Sequence, residues 1–189
     1  MTRPLPELTV GILGAGTVGS QVIRILESSS ADFAQRSGAG LSIGAVLVRD
    51  PAAPRDVEID PALLTTDPAV AIDRMDLVVE LIGGIEPART LVLRALRQGT
   101  SVVTGNKALL AAHGPELYEA AAASGADLYY EAAVAGAVPV AYGLRESLAG
   151  DRLTQFMGID NGASKLLLDA ISSQDLGHHD TQGKALPLE

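Results

Sequence analysis

The 189 residues contain no cysteine and no tryptophan, and only four tyrosines and two phenylalanines carry aromatic rings. Without cysteine there is no disulfide, no thiolate nucleophile and no cysteine-ligated metal. Basic residues are few: 14 lysines and arginines stand against 23 acidic residues, a formal charge of −9, with no basic run. Nucleic acid and anionic membranes are therefore not the expected partners. Long apolar runs are also missing. No window reaches the roughly 18 apolar residues of a membrane span, and Met1–Glu7 has no apolar signal core, so a cytoplasmic protein is expected.

What is present is aliphatic. The hydrophobic share is 47%, and with so few rings the core must be built from Ala, Val, Leu and Ile, which suits parallel strands covered by helices. The length fits one full domain plus part of another.

The apolar run Leu8–Leu13 leads into Gly14-Ala15-Gly16-Thr17-Val18-Gly19, and a helical pattern starts at once. It runs from Thr17 to about Ser28, with Val18, Val22, Ile25 and Leu26 on one face. Strand, glycine turn and helix in this order form the phosphate-binding turn of a dinucleotide fold. Gly14 permits the tight turn, Gly16 lets the backbone approach a pyrophosphate, and Gly19 lets the helix pack on its strand. The helix N-terminus then offers unpaired N–H groups to the phosphates. A glycine-rich turn with no ligand is the alternative.

Further along, residues 28–40 read as a loop and Leu41–Val48 as a second strand, followed by Arg49-Asp50-Pro51. Residues 51–62, with prolines at 51, 54 and 61, read as an exposed loop. Asp76–Ile82 is a third strand ending at Gly83-Gly84. The next helix starts near Pro87, buries Ala88, Leu91, Val92, Ala95 and Leu96, and stops at Gly99. Ser101–Thr104 is a fourth strand, Pro115–Ser124 a helix stopped by Gly125, and Asp127–Glu131 a fifth strand. Strands alternating with helices predict an α/β fold, a Rossmann-type doubly wound parallel sheet. After Gly136 the pattern changes. Val138–Leu148 reads as helical, Leu153–Ile159 as a strand and Lys165–Ile171 as helical, the beginning of a second α+β domain. The expected division is 1–135 for the dinucleotide-binding domain, 136–172 for the start of a second domain, and 173–189 for a disordered tail.

Ligands of such sheets bind beyond the carboxyl ends of the strands. After strand two comes Arg49, where NAD-specific folds usually place an acid. A guanidinium there suits a 2′-phosphate and favours NADP, with NAD also open; Asp50 opposes this, and a solvated Arg49 is the alternative. Gly83-Gly84 lies where a nicotinamide ribose passes, or is a plain turn. After strand four, Thr104 and Lys107 face the same edge. A partly buried lysine at a helix start is suited to accept the proton of an alcohol while hydride leaves the same carbon, and a surface lysine or carboxylate anchor is the alternative. Glu131, after strand five, suits a cation or a substrate amine, or else a cap or interdomain salt bridge.

Other residues read as structural. His178-His179-Asp180 lies in patternless sequence without a third ligand at fixed spacing. His113 precedes Gly114-Pro115 at a helix start, Ser164-Lys165 lacks an oxyanion hole, and Arg89, Arg94 and Arg97 read as a solvated face.

Four blocks together resemble homoserine dehydrogenases: Gly-Ile-Leu-Gly-Ala-Gly-Thr-Val-Gly (11–19), Val-Val-Glu-Leu-Ile-Gly-Gly (78–84), Val-Val-Thr-Gly-Asn-Lys-Ala-Leu-Leu-Ala (102–111) and Tyr-Glu-Ala-Ala-Val-Ala-Gly-Ala-Val-Pro (130–139). The likeness continues through Leu-Arg-Glu-Ser-Leu-Ala-Gly-Asp (144–151) and covers about residues 8–172. The family interconverts aspartate semialdehyde and homoserine with NAD(P)H, on the route to threonine, methionine and isoleucine. The resemblance implies cofactor contacts from Ala15, Thr17, Val18 and Arg49 and an active-site role for Lys107. It implies a structural monovalent cation, Na⁺, at Glu131 with the carbonyls of Val134, Gly136 and Val138. It also implies a dimer acting on a small-molecule substrate. The chain departs from the family at Asn161-Gly162-Ala163-Ser164-Lys165, where Asn-Gly-Thr-Thr/Ser-Asn is usual. It also lacks the rest of the family's substrate domain, with its acidic substrate-binding residue and proton-transfer lysine. A truncated or non-catalytic NAD(P)-binding module of the same family is therefore the second expectation.

Overall fold

The computed structural model describes residues 5–134, 138–150 and 152. The first strand, β1 (Glu7–Leu13), is buried over its last four residues, as a strand covered on both faces must be. It is followed by α1 (Thr17–Ser28), α2 (Ser30–Ser37) and β2 (Gly40–Leu47). A two-residue β3 (Leu64–Thr65) and the short α3 (Pro68–Ile72) precede β4 (Leu77–Glu80) and α4 (Ala88–Arg97). Then come β5 (Ser101–Thr104), α5 (Lys107–Ser124), β6 (Leu128–Tyr129) and α6 (Val140–Tyr142), the last running into a π turn at Gly143–Ser147.

All five strand pairings are parallel, and the order is β3-β2-β1-β4-β5-β6. This is the doubly wound α/β fold, in which the winding reverses beside β1 and a crevice opens above its carboxyl end. Register makes that edge level. Leu13 pairs with Leu47 on one side and Glu80 on the other, and Glu80 pairs with Thr104. The segments that begin at Gly14, Val48, Leu81 and Gly105 therefore leave the sheet along one rim.

The two faces of the sheet carry separate cores. Val10, Ile12, Ile23, Val46 and Ile59 pack on one side. The other holds Leu13, Ala45, Leu47, Val78 and Val102 against Ile72 of α3, Val92 and Leu96 of α4, and Leu109 and Leu117 of α5. Each of the Val, Leu and Ile side chains contributes about 1.5–3 kcal/mol by leaving water. The predicted stripe of α4 is buried as expected, with Leu93 added.

Several expectations need correction. On α1 the buried residues are Gly19, Ser20 and Ile23, whereas Val18 is 60% and Ile25 45% exposed. Gly19 and Ser20 make the close approach there, and Ile23 supplies the buried apolar contact. Residues 30–37 form a helix rather than a loop. Asp32 and Arg36 pair at 3.4 Å across one turn, and Gly38 closes the helix at φ +75°. None of its residues is buried, so no apolar period announces it. The β3 and α3 pieces are too short for periodicity; Asp60 caps the 3₁₀ turn Pro61–Leu63 that leads into β3 by accepting the Ala62 N–H, and Asp67 caps α3 by accepting the Ala69 N–H.

The helix expected at Pro115 begins eight residues earlier, at Lys107, and bends at His113 (φ −137°). Pro115 falls in the first turn beyond the bend, where its missing N–H costs little. The fifth expected strand shrinks to Leu128–Tyr129, and Glu131 starts a 3₁₀ turn (Glu131–Ala133). Helical structure after Val138 is found at residues 140–147. The expected strand at 153–159, helix at 165–171 and tail at 173–189 lie outside the described residues. No described helix is long and apolar enough to cross a membrane.

Candidate functional site

The chain turns out of β1 at Gly14, whose N–H donates to the Leu47 carbonyl at 3.0 Å. Its φ is +102°, and a Cβ there would stand 3.1 Å from the Leu81 backbone. A Cβ on Gly19 would run into the Gly14 carbonyl oxygen. The two glycines are thus demanded by backbone crowding. Gly16 is different: φ is −78° and a Cβ would meet nothing within 4 Å. The empty space lies directly at the mouth of α1.

That mouth has no side-chain cap and no acid in its first turn. The first backbone bond of α1 is Ser20 N–H to Gly16 C=O at 2.9 Å, so the amides of Thr17, Val18 and Gly19 precede the helical ladder. Gly16, Thr17 and Val18 are exposed, while the Ser20 hydroxyl is buried and donates to the Ala15 carbonyl at 3.1 Å. Free N–H groups, the positive end of the helix dipole and an unfilled cradle are the requirements of a phosphate site.

Arg49 is exposed two residues beyond β2. The competing Asp50 carboxylate is occupied in its own loop, accepting the Ala52 N–H at 2.8 Å. Arg55, which sequence reasoning missed, ties this loop down by donating to the carbonyls of Asp50 (2.6 Å), Pro51 (3.0 Å) and Ala53 (2.8 Å). A groove of about 400 Å³ beside it is lined by Arg55, Ile59 and Leu64 among others. It flanks the β2–β3 edge and does not open at the glycine turn.

At the rim above β4 and β5 a buried polar group organises the backbone. Glu80 is fully buried, and its carboxylate accepts the Thr104 hydroxyl at 2.6 Å and the amides of Ile82 and Gly83 at 2.8 and 3.2 Å. Thr104 Oγ1 in turn accepts the Asn106 N–H at 3.0 Å. Asn106 caps α5 by accepting the Leu109 N–H at 3.1 Å, and its Nδ2 donates to the Gly84 carbonyl at 2.6 Å. Gly83 and Gly84 have φ of +78° and +73°, so this turn admits other residues only with strain. Lys107 follows as the first residue of α5. It is exposed, which corrects the expected partial burial: the cap residue, not the lysine, faces inward. Glu80 and Asn106 were both missed in sequence. An acid inside the run Leu77–Ile82 and an Asn before a helix start were the available signals.

Glu131 is found as a cap. Its two oxygens accept the amides of Ala141 (3.0 Å) and Tyr142 (2.8 Å), and the Val138 carbonyl accepts the Val140 N–H at 2.8 Å. Val134 is buried, and Gly136 lies outside the described residues. The expected solvated arginine face is partly engaged. Arg89 grips Glu116 through two bonds of 2.6 and 2.7 Å, and Arg94 grips Asp73 at 2.7 and 3.1 Å. Arg89 holds the Glu116 carboxyl below its ordinary range, and hydrogen bonds from Gln98 and Arg94 do the same for Asp73. His113 Nδ1 stands 3.6 Å from Glu116, a structural position. Among the described residues no three His, Cys, Asp or Glu side chains cluster as a metal site. His178, His179, Ser164 and Lys165 lie outside those residues.

Residues 14–131 match the family model described as the NAD-binding domain of homoserine dehydrogenase. The homoserine dehydrogenase of Corynebacterium glutamicum is 47% identical over 187 residues, covering 98% of this chain and 42% of that protein. That of Mycobacterium tuberculosis is 48% identical over 166 residues, covering 87% of this chain and 37% of that one. Among solved structures, a homoserine dehydrogenase from Thiobacillus denitrificans superposes with a TM-score of 0.68 at 39% identity, over 79% of this chain and 35% of that chain. The chain thus spans about two fifths of the length of the curated relatives it matches.

Proposed function

This chain belongs to the homoserine dehydrogenase family, and from that premise we propose that it binds NADP(H) and serves the interconversion of aspartate semialdehyde and homoserine, a step toward threonine and methionine. The observation that carries the reading is the unfilled cradle at Gly16, facing a helix mouth with no cap and no acid. Ala15, Gly16, Thr17, Val18 and Gly19 would hold the pyrophosphate through main-chain N–H groups, and Gly14, whose own N–H is taken by Leu47, would set the turn that presents them. Arg49 would pair with the 2′-phosphate, which favours NADP over NAD, since Asp50 is already engaged with Ala52. Gly83 and Gly84 would border the nicotinamide end; Thr104, expected at the same edge, is fully buried with its hydroxyl on Glu80 and would act behind them.

When bound, the dinucleotide supplies or takes up the hydride; the protein supplies position and charge. Lys107, exposed at the same rim, would orient the substrate carbonyl and hold the proton at the substrate oxygen. A monovalent cation, Na⁺, belongs to the reading at Glu131, Val134, Gly136 and Val138. Such hard oxygen donors suit it, and each Glu131 oxygen retains a lone pair beyond the amide it accepts. The expected partners are a small-molecule substrate and a second copy of the chain.

Titrating the protein into NADPH and NADH, with fluorescence as readout, and then adding aspartate semialdehyde tests the proposal. Binding followed by oxidation supports it. Binding with no oxidation on substrate addition favours the binding-module alternative, and no uptake of either nucleotide refutes the cofactor assignment.

A further inference from the structure

The Glu80 carboxylate is buried among β-strands with no cationic partner among the described residues, and its contacts form a chain. Its oxygens take the amides that begin the Gly83-Gly84 turn and the hydroxyl of Thr104; Thr104 takes the amide of Asn106; Asn106 reaches back to the Gly84 carbonyl. The loop thereby closed joins the exit of β4 to the exit of β5. Every buried side-chain nitrogen or oxygen among the described residues has a partner, so the chain is fully satisfied. A carboxylate is the side chain that suits the hub, because all three groups facing it are donors. Burying such a charge costs several kcal/mol before its hydrogen bonds are counted, and fold stability would be served as well by an apolar residue. The expense falls where two left-handed glycines must be held beside the first turn of α5.

The glycine turn at 14–19 is fixed by other means. Gly14 bonds Leu47, Leu81 bonds Leu13, and Ser20 bonds Ala15, so the pyrophosphate half of the crevice does not depend on Asn106. The two halves can be perturbed separately.

We propose that Glu80, Thr104 and Asn106 form a positioning clamp that sets the Gly83-Gly84 turn against the Lys107 helix start, and so shapes the site for the nicotinamide half of the dinucleotide. This rests on the cofactor reading above. Asn106→Asp isolates the clamp: an aspartate keeps the cap on α5, but its second oxygen faces the Gly84 carbonyl with no proton to donate. Glu80→Gln perturbs the hub itself, placing an amide donor against a donor.

Calorimetric titration compares NADPH with 2′-phospho-ADP-ribose, which carries the same adenine, phosphates and ribose but no nicotinamide. In the wild type NADPH binds more tightly than the fragment. In Asn106→Asp the fragment keeps its affinity while NADPH weakens roughly tenfold, the worth of one amide–carbonyl hydrogen bond, and the emission of bound NADPH shifts toward that of the free nucleotide. Glu80→Gln, where it folds, gives the same pattern. Equal losses for both ligands, or no loss for either in Asn106→Asp, overturn the clamp, as does a wild type that binds NADPH no better than the fragment. A wild type that binds neither ligand defeats the underlying cofactor reading, and the clamp with it.

Discussion

Gly16→Ala should separate folding from binding. The residue has φ −78° and ψ −160°, an extended conformation open to alanine, and the added methyl meets no protein atom within 4 Å. Removing a glycine from the unfolded chain stabilises by about 0.4–1 kcal/mol, and placing alanine at a helix N-cap costs about 0.5–1 kcal/mol. The two nearly cancel. At about 2–4 °C per kcal/mol for a chain of this size, the melting temperature should stay within about 3 °C of wild type. Binding is another matter. The methyl stands where a phosphate must approach the N–H groups of residues 16–18, and displacing it from two charge-assisted hydrogen bonds loses about 3–6 kcal/mol. The NADPH dissociation constant should rise by about two to four orders of magnitude. Gly19→Ala is the control, because its methyl runs into the Gly14 carbonyl and overpacking of this kind costs about 1–3 kcal/mol of stability. Thermal melts and NADPH titration on both variants decide it. A Gly16→Ala protein that binds NADPH within about threefold of wild type, or that melts as low as Gly19→Ala, refutes the cradle.

Arg49→Ala should weaken NADPH by about ten- to a hundredfold and leave NADH unchanged, since one charge-assisted contact is removed; an unchanged preference would contradict the 2′-phosphate role. Lys107→Ala should lose turnover of aspartate semialdehyde far more than NADPH affinity, measured by steady-state rates beside the titration, and the opposite ranking would make the lysine a cofactor anchor. Acid should destabilise the fold through Asp73, Glu86 and Glu116, whose pKa values are lowered by Gln98 and Arg94, by Thr90, and by Arg89 respectively. Each is a depressed carboxylate, so its contribution is complete above the unfolded carboxylate range and is lost as pH falls through the folded value. Melting temperature followed downward from neutral pH should drop in that acid range, and Arg89→Ala should flatten the drop. Replacing NaCl by choline chloride should lower the melting temperature of wild type but not of Glu131→Gln if Na⁺ sits there.

The parts of the fold that were readable beforehand are those where one physical demand dominates a stretch of chain. Buried parallel strands show as Val/Ile/Leu runs, and α4 shows its 3.6-residue stripe because one face of it is buried from Ala88 to Leu96. Helix α2 buries nothing, so its residues carry no stripe and only the Asp32–Arg36 spacing and Gly38 speak for it. On α1 the large residues Val18 and Ile25 mislead, because the contact face is set by Gly19 and Ser20 together with Ile23. A helix that must sit close to its strand shows its buried face by what is small. The kink at His113 hid the first turns of α5, because the Gly114-Pro115 pair looks like a helix start and is one, for the second segment only.

At the site the same distinction holds between residues that meet the ligand and residues that hold them. The phosphate turn is a backbone device, so its requirement for glycine appears directly in the sequence as spacing. Glu80 and Asn106 act through other parts of the chain, 22 to 24 residues apart in the case of the Asn106–Gly84 and Thr104–Glu80 contacts, and nothing in the local pattern states a partner. Sequence does contain one trace of them. Glu80 is an acid that closes a strand of otherwise aliphatic residues, and a charge there must be met by donors or abandoned. Register supplies the missing half: because Glu80 pairs with Thr104 across β4 and β5, the nearest hydroxyl is one strand away. A buried acid at the carboxyl end of a parallel strand, opposite a Ser or Thr at the end of the next and followed by left-handed glycines, therefore marks a rim where loop geometry is held more tightly than packing alone requires.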